Sequence, residues 1–169
     1  ASTLDWHDCL TGAPPDRLLL LELVKHGFGE ADLHGCINFF SKVAVAEAEA
    51  IRSITLDDHF LHALRMLERC KGKVITTGMG KVGIIAQKLA TTLSSTGTPA
   101  CFLHPGEAAH GDLGLVTKHD VLITFSNSGK TREVLETIAR AKQLNGMNLI
   151  AITGHRNSPI AHQSDVVLC

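Results

Sequence analysis

The chain has 169 residues, 44% of them hydrophobic, with 16 Lys+Arg against 17 Asp+Glu. That length and apolar content predict one domain with a sizeable core. The near-balance of charge offers no broad field to nucleic acid or a membrane surface, and 4% aromatics without any Tyr leave no base-stacking platform. A small anionic ligand held by local groups fits this composition better.

In chain order, residues 1–15 read as irregular, since Gly12, Pro14 and Pro15 interrupt any early element. Asp16 is a candidate cap for a helix ending near Gly27. The residues 18–21 are too short an apolar run to cross a bilayer, and no basic segment precedes an apolar core, so a soluble protein is expected. A second helix is predicted over 30–53, with Ile37, Phe40, Ala44, Ala48 and Ile51 on one stripe. Thr55-Leu56-Asp57-Asp58 resembles a capping box that opens a third helix bearing Phe60, Leu64 and Leu67.

From Lys73 the texture changes to alternating strand and helix. Short apolar strands are predicted at 74–77, 100–103, 121–125, 149–152 and 166–168. Ile85, Leu89 and Leu93 mark the helix after the first strand; Val134, Ile138, Ala141 and Leu144 mark the one after the third. This alternation implies an α/β fold with a parallel sheet covered on both faces. Ligands of such sheets sit beyond the carboxyl ends of the strands, at the topological switch point. The five cysteines (Cys9, Cys36, Cys70, Cys101 and Cys169) are odd in number and lack a C-x-x-C pair, so reduced, mostly buried thiols in a cytoplasmic protein are expected.

Two motifs point toward nucleotides and then fall short. Gly78-Met79-Gly80-Lys81-Val82-Gly83 has the G-x-G-x-x-G spacing, but the second strand ends Phe102-Leu103-His104-Pro105 without the acid that would hold a ribose. The glycines then serve a tight turn and close helix packing. Gly129-Lys130-Thr131 imitates the end of a P-loop, yet the position of that motif's first glycine is Thr124.

Three segments carry chemistry. Ser126-Asn127-Ser128-Gly129-Lys130-Thr131 collects hydroxyls and backbone N–H groups where a helix begins, and the helix dipole there favours an anion. Hydrogen bonds to a charged acceptor contribute about 1.5–3 kcal/mol each, so three hydroxyls hold a phosphate without a basic cluster. An ordinary serine-rich cap is the alternative. Glu133 falls in the first turn of that helix, where the dipole favours an acid whether or not it is functional. Lys81 stands at a helix start, where the dipole disfavours a cation by about 0.3–1 kcal/mol. An anionic ligand or a nearby carboxylate would account for it, as would a lysine simply reaching solvent. His104-Pro105-Gly106-Glu107-Ala108-Ala109-His110-Gly111-Asp112 groups two imidazoles and two carboxylates after a strand, and an imidazole trades protons near neutral pH. His104 and His110 lack a further ligand set, so no metal is assigned, although adventitious zinc beside Glu107 and Asp112 stays open.

Together these segments resemble the sugar isomerase (SIS) domain family, over about residues 71–169. Gly78-Met79-Gly80-Lys81, Ser95-Thr96-Gly97-Thr98-Pro99, His104 to Gly114 and Ser126-Asn127-Ser128-Gly129 are most similar to D-arabinose 5-phosphate isomerases, as are the helices over about 37–70. The resemblance implies a flavodoxin-like SIS fold: a three-layer, doubly wound sheet of five parallel strands with N-terminal helices. It divides the chain into an extension (1–30) and an SIS domain (31–169), with a helical lead-in (31–71) and an α/β core (72–169). It implies an aldose-ketose isomerase that interconverts D-ribulose 5-phosphate and D-arabinose 5-phosphate through an enediol, supplying Kdo for lipopolysaccharide or capsule. No cofactor is implied. By motif, Ser126, Ser128 and Thr131 bind phosphate; Gly80, Asn127, His104 and Glu107 join them at the substrate; and His110, Lys81 and Glu133 are catalytic, with the base either His110 or Glu133. A homotetramer with sites at subunit contacts is implied; most relatives append a pair of CBS domains, so a chain ending inside the fifth strand is expected to be either an SIS-only form without CBS domains or incompletely represented. Lys130 departs from the Glu common in relatives, and further residues are expected beyond Cys169, carrying another acid and histidine. A non-catalytic module that binds sugar phosphates or sugar nucleotides is the alternative function.

Overall fold

The computed structural model describes residues 30–169. The expected irregular start and the helix over 16–27 lie outside the described residues, as does the extension apart from Glu30. The chain divides into two units at Thr55–Leu56. In the first unit, helix α1 spans Glu30–Arg52, and its stripe residues Ile37, Phe40 and Ile51 are exposed.

The second unit opens with α2 (Asp58–Glu68) and continues through β1 (Val74–Gly78), α3 (Gly80–Ser95), β2 (Ala100–Phe102) and α4 (Pro105–Ala108). A 3-10 turn (Asp112–Leu115) leads to β3 (Val121–Phe125), α5 (Arg132–Asn145), β4 (Asn148–Ile152), α6 (Pro159–His162) and β5 (Val166–Leu168). The strands form one parallel sheet in the order β2-β1-β3-β4-β5, with Gly78 opposite Phe125. This is the expected doubly wound α/β arrangement. Its switch point lies between β1 and β3, where successive crossovers leave in opposite directions.

Alternation along the strands divides the core into two layers. Ile75, Leu122 and Leu149 face one side, packed with Val134, Ile138 and Ala141 of α5. Val74, Val121, Ile123 and Ile150 face the other, with Ala86 of α3 and Ala63 of α2. Each fully buried aliphatic side chain contributes about 1.5–3 kcal/mol, so both layers are needed to offset chain entropy.

Several expectations need correction. Asp57, not Thr55, caps α2: its Oδ1 accepts from Phe60 N at 3.1 Å, while the Thr55 hydroxyl turns back to the Ser53 carbonyl at 3.5 Å. Ile85 is 55% exposed, because the inward line of α3 is Gly83, Ala86 and Ala90 and a one-residue step rotates about 100° away from it. Small residues are required on that line, since a Cβ on Gly83 would stand 2.6 Å from the Gly78 carbonyl oxygen. Leu144 is 66% exposed, about 80° off the Val134 line after its successive steps along α5. Leu64 is likewise 47% exposed. Of the described cysteines, Cys36, Cys70 and Cys101 are half-buried, Cys169 is exposed, and all are unbridged. No helix among the described residues is long and apolar enough to cross a membrane.

Candidate active site

Because all five strands run the same way, the loops after β1, β2 and β3 emerge at one edge of the sheet. The first is the glycine turn. Gly80 adopts φ +60° with open space where a Cβ would stand, so the chain turns sharply into α3 at a left-handed residue. Lys81 is exposed in the first turn of α3 and forms no ion pair among the described residues. A neighbouring carboxylate therefore does not explain its place at the positive end of a helix.

The second loop is anchored at its root. The Thr77 hydroxyl donates to the Leu103 carbonyl at 2.7 Å, and Leu103 N donates to Thr76 O at 2.9 Å, fixing the point at which His104 leaves β2. His104 caps the short α4: its Nδ1 accepts from Gly106 N at 3.1 Å, and its ring meets Phe102 edge-on at 6.3 Å. With Nδ1 accepting, a neutral His104 carries its proton on Nε2, which leaves one donor for a ligand. Glu107 and His110 are exposed, and a backbone bond from His110 N to Glu107 O (2.9 Å) tightens the segment between them.

The third loop is the hydroxyl turn. Ser126 is 2% exposed, and its Oγ accepts from Gly129 N at 3.1 Å and shares a 2.8 Å hydrogen bond with the Thr131 hydroxyl. When Ser126 donates in that pair, the Thr131 proton is left for a ligand. The Ser128 Oγ accepts from Lys130 N at 3.2 Å, so its own proton stays available as well. Ser126 thus builds the turn and orients Thr131, while Ser128 is exposed. Thr131 precedes α5 without a side-chain cap bond, leaving the helix's leading N–H groups for an anion. Glu133 is exposed in the first turn.

The loop after β4 supports this turn, a role that sequence reading missed. Gly154 N donates to Asn127 O at 3.0 Å, the Thr153 hydroxyl to the same oxygen at 3.3 Å, and Ile160 N to Gly129 O at 3.1 Å. Ser158 is 1% exposed and fills the space beside Gly129. The available signal was Ser158-Pro159, a cap followed by proline at a helix start. Gly129 sits at φ +61°, and a Cβ there would fall 2.0 Å from Ser158 Oγ. Gly129→Ala is therefore expected to cost about 1–3 kcal/mol from left-handed strain and overpacking. Chemical denaturation reads this, and an unchanged midpoint would show that the turn adapts.

The topology thus brings Gly80, Lys81, His104, Glu107, His110, Asn127, Ser128, Thr131 and Glu133 to one edge of the sheet. Among the described residues, no hydrogen bond or ion pair joins Lys81, His110 and Glu133 to one another. No group of three or more His, Cys, Asp or Glu among the described residues is placed to hold a metal ion.

Residues 66–169 match the SIS domain family. The chain is 46% identical over 130 residues to arabinose 5-phosphate isomerase KdsD of Escherichia coli K12, covering 76% of this chain and 39% of that protein. It is 44% identical over 124 residues to the KdsD of Pseudomonas aeruginosa PAO1, covering 72% and 38% respectively. The chain thus spans under two fifths of the length of these relatives. A solved Escherichia coli CFT073 structure in complex with arabinose 5-phosphate superposes with a TM-score of 0.75 at 41% identity, covering 83% of this chain and 73% of that one.

Proposed function

The chain belongs to the SIS domain family, and from that premise we propose that it interconverts D-ribulose 5-phosphate and D-arabinose 5-phosphate through an enediol. The observation that carries this reading is the hydroxyl turn at the switch point, with an available proton on Ser128 and the paired Ser126 and Thr131 hydroxyls ahead of an uncapped helix. In this reading the phosphate rests on Ser128, Thr131 and the leading N–H groups of α5, oriented by the buried Ser126 and by Asn127. Lys81, without an ion pair among the described residues, lies across the switch point and stabilises negative charge on the enediolate. His104, Glu107 and the Gly80 turn complete the sugar contacts.

The chemistry balances within the substrate. A base removes a proton from C1 of the open-chain ketose, the electrons move to the C2 carbonyl oxygen, which takes up a proton, and loss of the O1 proton with reprotonation at C2 then gives the aldose with its carbonyl at C1. His110 or Glu133 supplies the base. No external oxidant or reductant enters, so no redox cofactor is needed. All three groups are exposed in the single chain, which supports sites completed at subunit contacts of a homotetramer, where a second subunit excludes water. The same reading places the protein in the cytoplasm and its product in Kdo supply for lipopolysaccharide or capsule.

The test is incubation of the full-length protein with D-ribulose 5-phosphate in the presence of a chelator, with products separated by anion-exchange chromatography. Formation of arabinose 5-phosphate is expected. Binding of the sugar phosphate without turnover would overturn the isomerase and assign a sensor instead.

A further inference from the structure

A cleft of about 420 Å³ lies where the hydroxyl turn meets the β4 loop, with Ser128 and Lys130 on one side and His155, Arg156 and Asn157 on the other. Of these residues the proposed reaction uses only Ser128, where the cleft meets the substrate turn. No carboxylate is among the residues lining the cleft. Lys130 and Arg156 are both exposed, and Lys130 forms no ion pair among the described residues. Arg156 reaches Asp57, outside the lining, at 3.5 Å; both side chains are about half exposed, and the contact is too long to engage the guanidinium fully. Asp57 has already given its other oxygen to Phe60 N as the α2 cap.

The walls are held in place before any ligand arrives. Gly154 N and the Thr153 hydroxyl donate to Asn127 O, His155 N donates to Thr153 Oγ1 at 3.3 Å, and Ser158 N donates to His155 O at 3.1 Å. A pre-formed cleft loses less entropy on binding. Its donors, apart from the Ser128 hydroxyl that serves the substrate, are a planar guanidinium, an ammonium, an imidazole and an amide. A tetrahedral dianion matches that set, since Arg engages two of its oxygens and Lys acts as a point charge on the others.

We propose that this cleft is a second anion site, adjoining the turn that receives the substrate and centred on Lys130, His155, Arg156 and Asn157, and that it takes the phosphate group of a small molecule. Inorganic phosphate is the probe. Full-length 15N-labelled protein is titrated with it at constant ionic strength while backbone amide shifts are followed. Saturable shifts are expected at His155, Arg156 and Asn157. Arg156→Gln and Lys130→Gln are each expected to weaken that binding about tenfold or more, the loss of one charged hydrogen bond. The amides of Arg132, Glu133 and Val134 report the substrate turn independently, so failure there counts against the isomerase reading and not against the cleft. Shifts at 155–157 that stay absent, grow linearly as with chloride, or keep their affinity in both variants would overturn the proposal.

Discussion

Replacing His110 with alanine is expected to lower the turnover of D-ribulose 5-phosphate by about 10²–10⁴-fold, the range for losing a positioned proton-transfer group. Affinity for the sugar phosphate is expected to change by less than about threefold, since the phosphate contacts rest on a different loop and uniform binding energy is untouched. The residue is exposed, its backbone is held by the Glu107 carbonyl, and the truncation removes no buried packing. A loss of kcat therefore reads out chemistry rather than folding. The same experiment on Glu133→Gln separates the two candidate bases: the acid limb of the kcat/KM profile disappears in whichever variant has lost the base and persists in the other. A His110→Ala protein with parental kcat would remove the imidazole from the mechanism. One that neither binds nor turns over would assign it to the binding surface.

Asp120→Ala is expected to destabilise the fold by about 3–5 kcal/mol, the range for breaking a buried ion pair. The Asp120 carboxylate is 1% exposed and ties the amino ends of β1 and β3 together. Its Oδ1 accepts from Lys73 N at 2.8 Å, and its Oδ2 from Lys73 Nζ at 2.8 Å and Thr117 N at 2.7 Å. The fit explains Gly72, where a Cβ would fall 2.1 Å from Oδ1. Burial pushes the Asp120 carboxyl upward, but the Lys73 ammonium and the two backbone N–H groups outweigh it and hold it below the ordinary carboxylate range. The folded value is depressed, so the stabilisation is fully present above the unfolded value of about 4 and is lost as pH falls through the folded one. Denaturation of parent and variant at pH 7 and at pH 3 checks this. The gap between them is expected to be largest at pH 7 and to shrink on acidification; a gap independent of pH would refute the ion-pair account.

Much of this architecture was legible along the chain. The short apolar runs starting at Val74, Val121 and Leu149 declared buried strands, and the glycine at 80 and the hydroxyls at 126–131 declared turns, because strand period and loop chemistry are set by neighbouring residues. The loops bearing Lys81, His110 and Glu133 could be placed at one edge because parallel strands direct every such loop to the same side. Sequence alone misjudged some buried faces and some side-chain partners. Ile85 reads as core, yet the close approach of α3 to Gly78 reserves the inward line for small residues. Asp57 takes a cap that Thr55 matched equally well by pattern. The support from Thr153, Gly154 and Ser158 left no trace at the hydroxyl turn itself, because the β3–β4 pairing brings together segments about 25 residues apart. Elements and their ends follow from chemistry within one or two turns of chain. Which face is buried, and which distant loop supports a turn, follows from packing that only the closed sheet imposes.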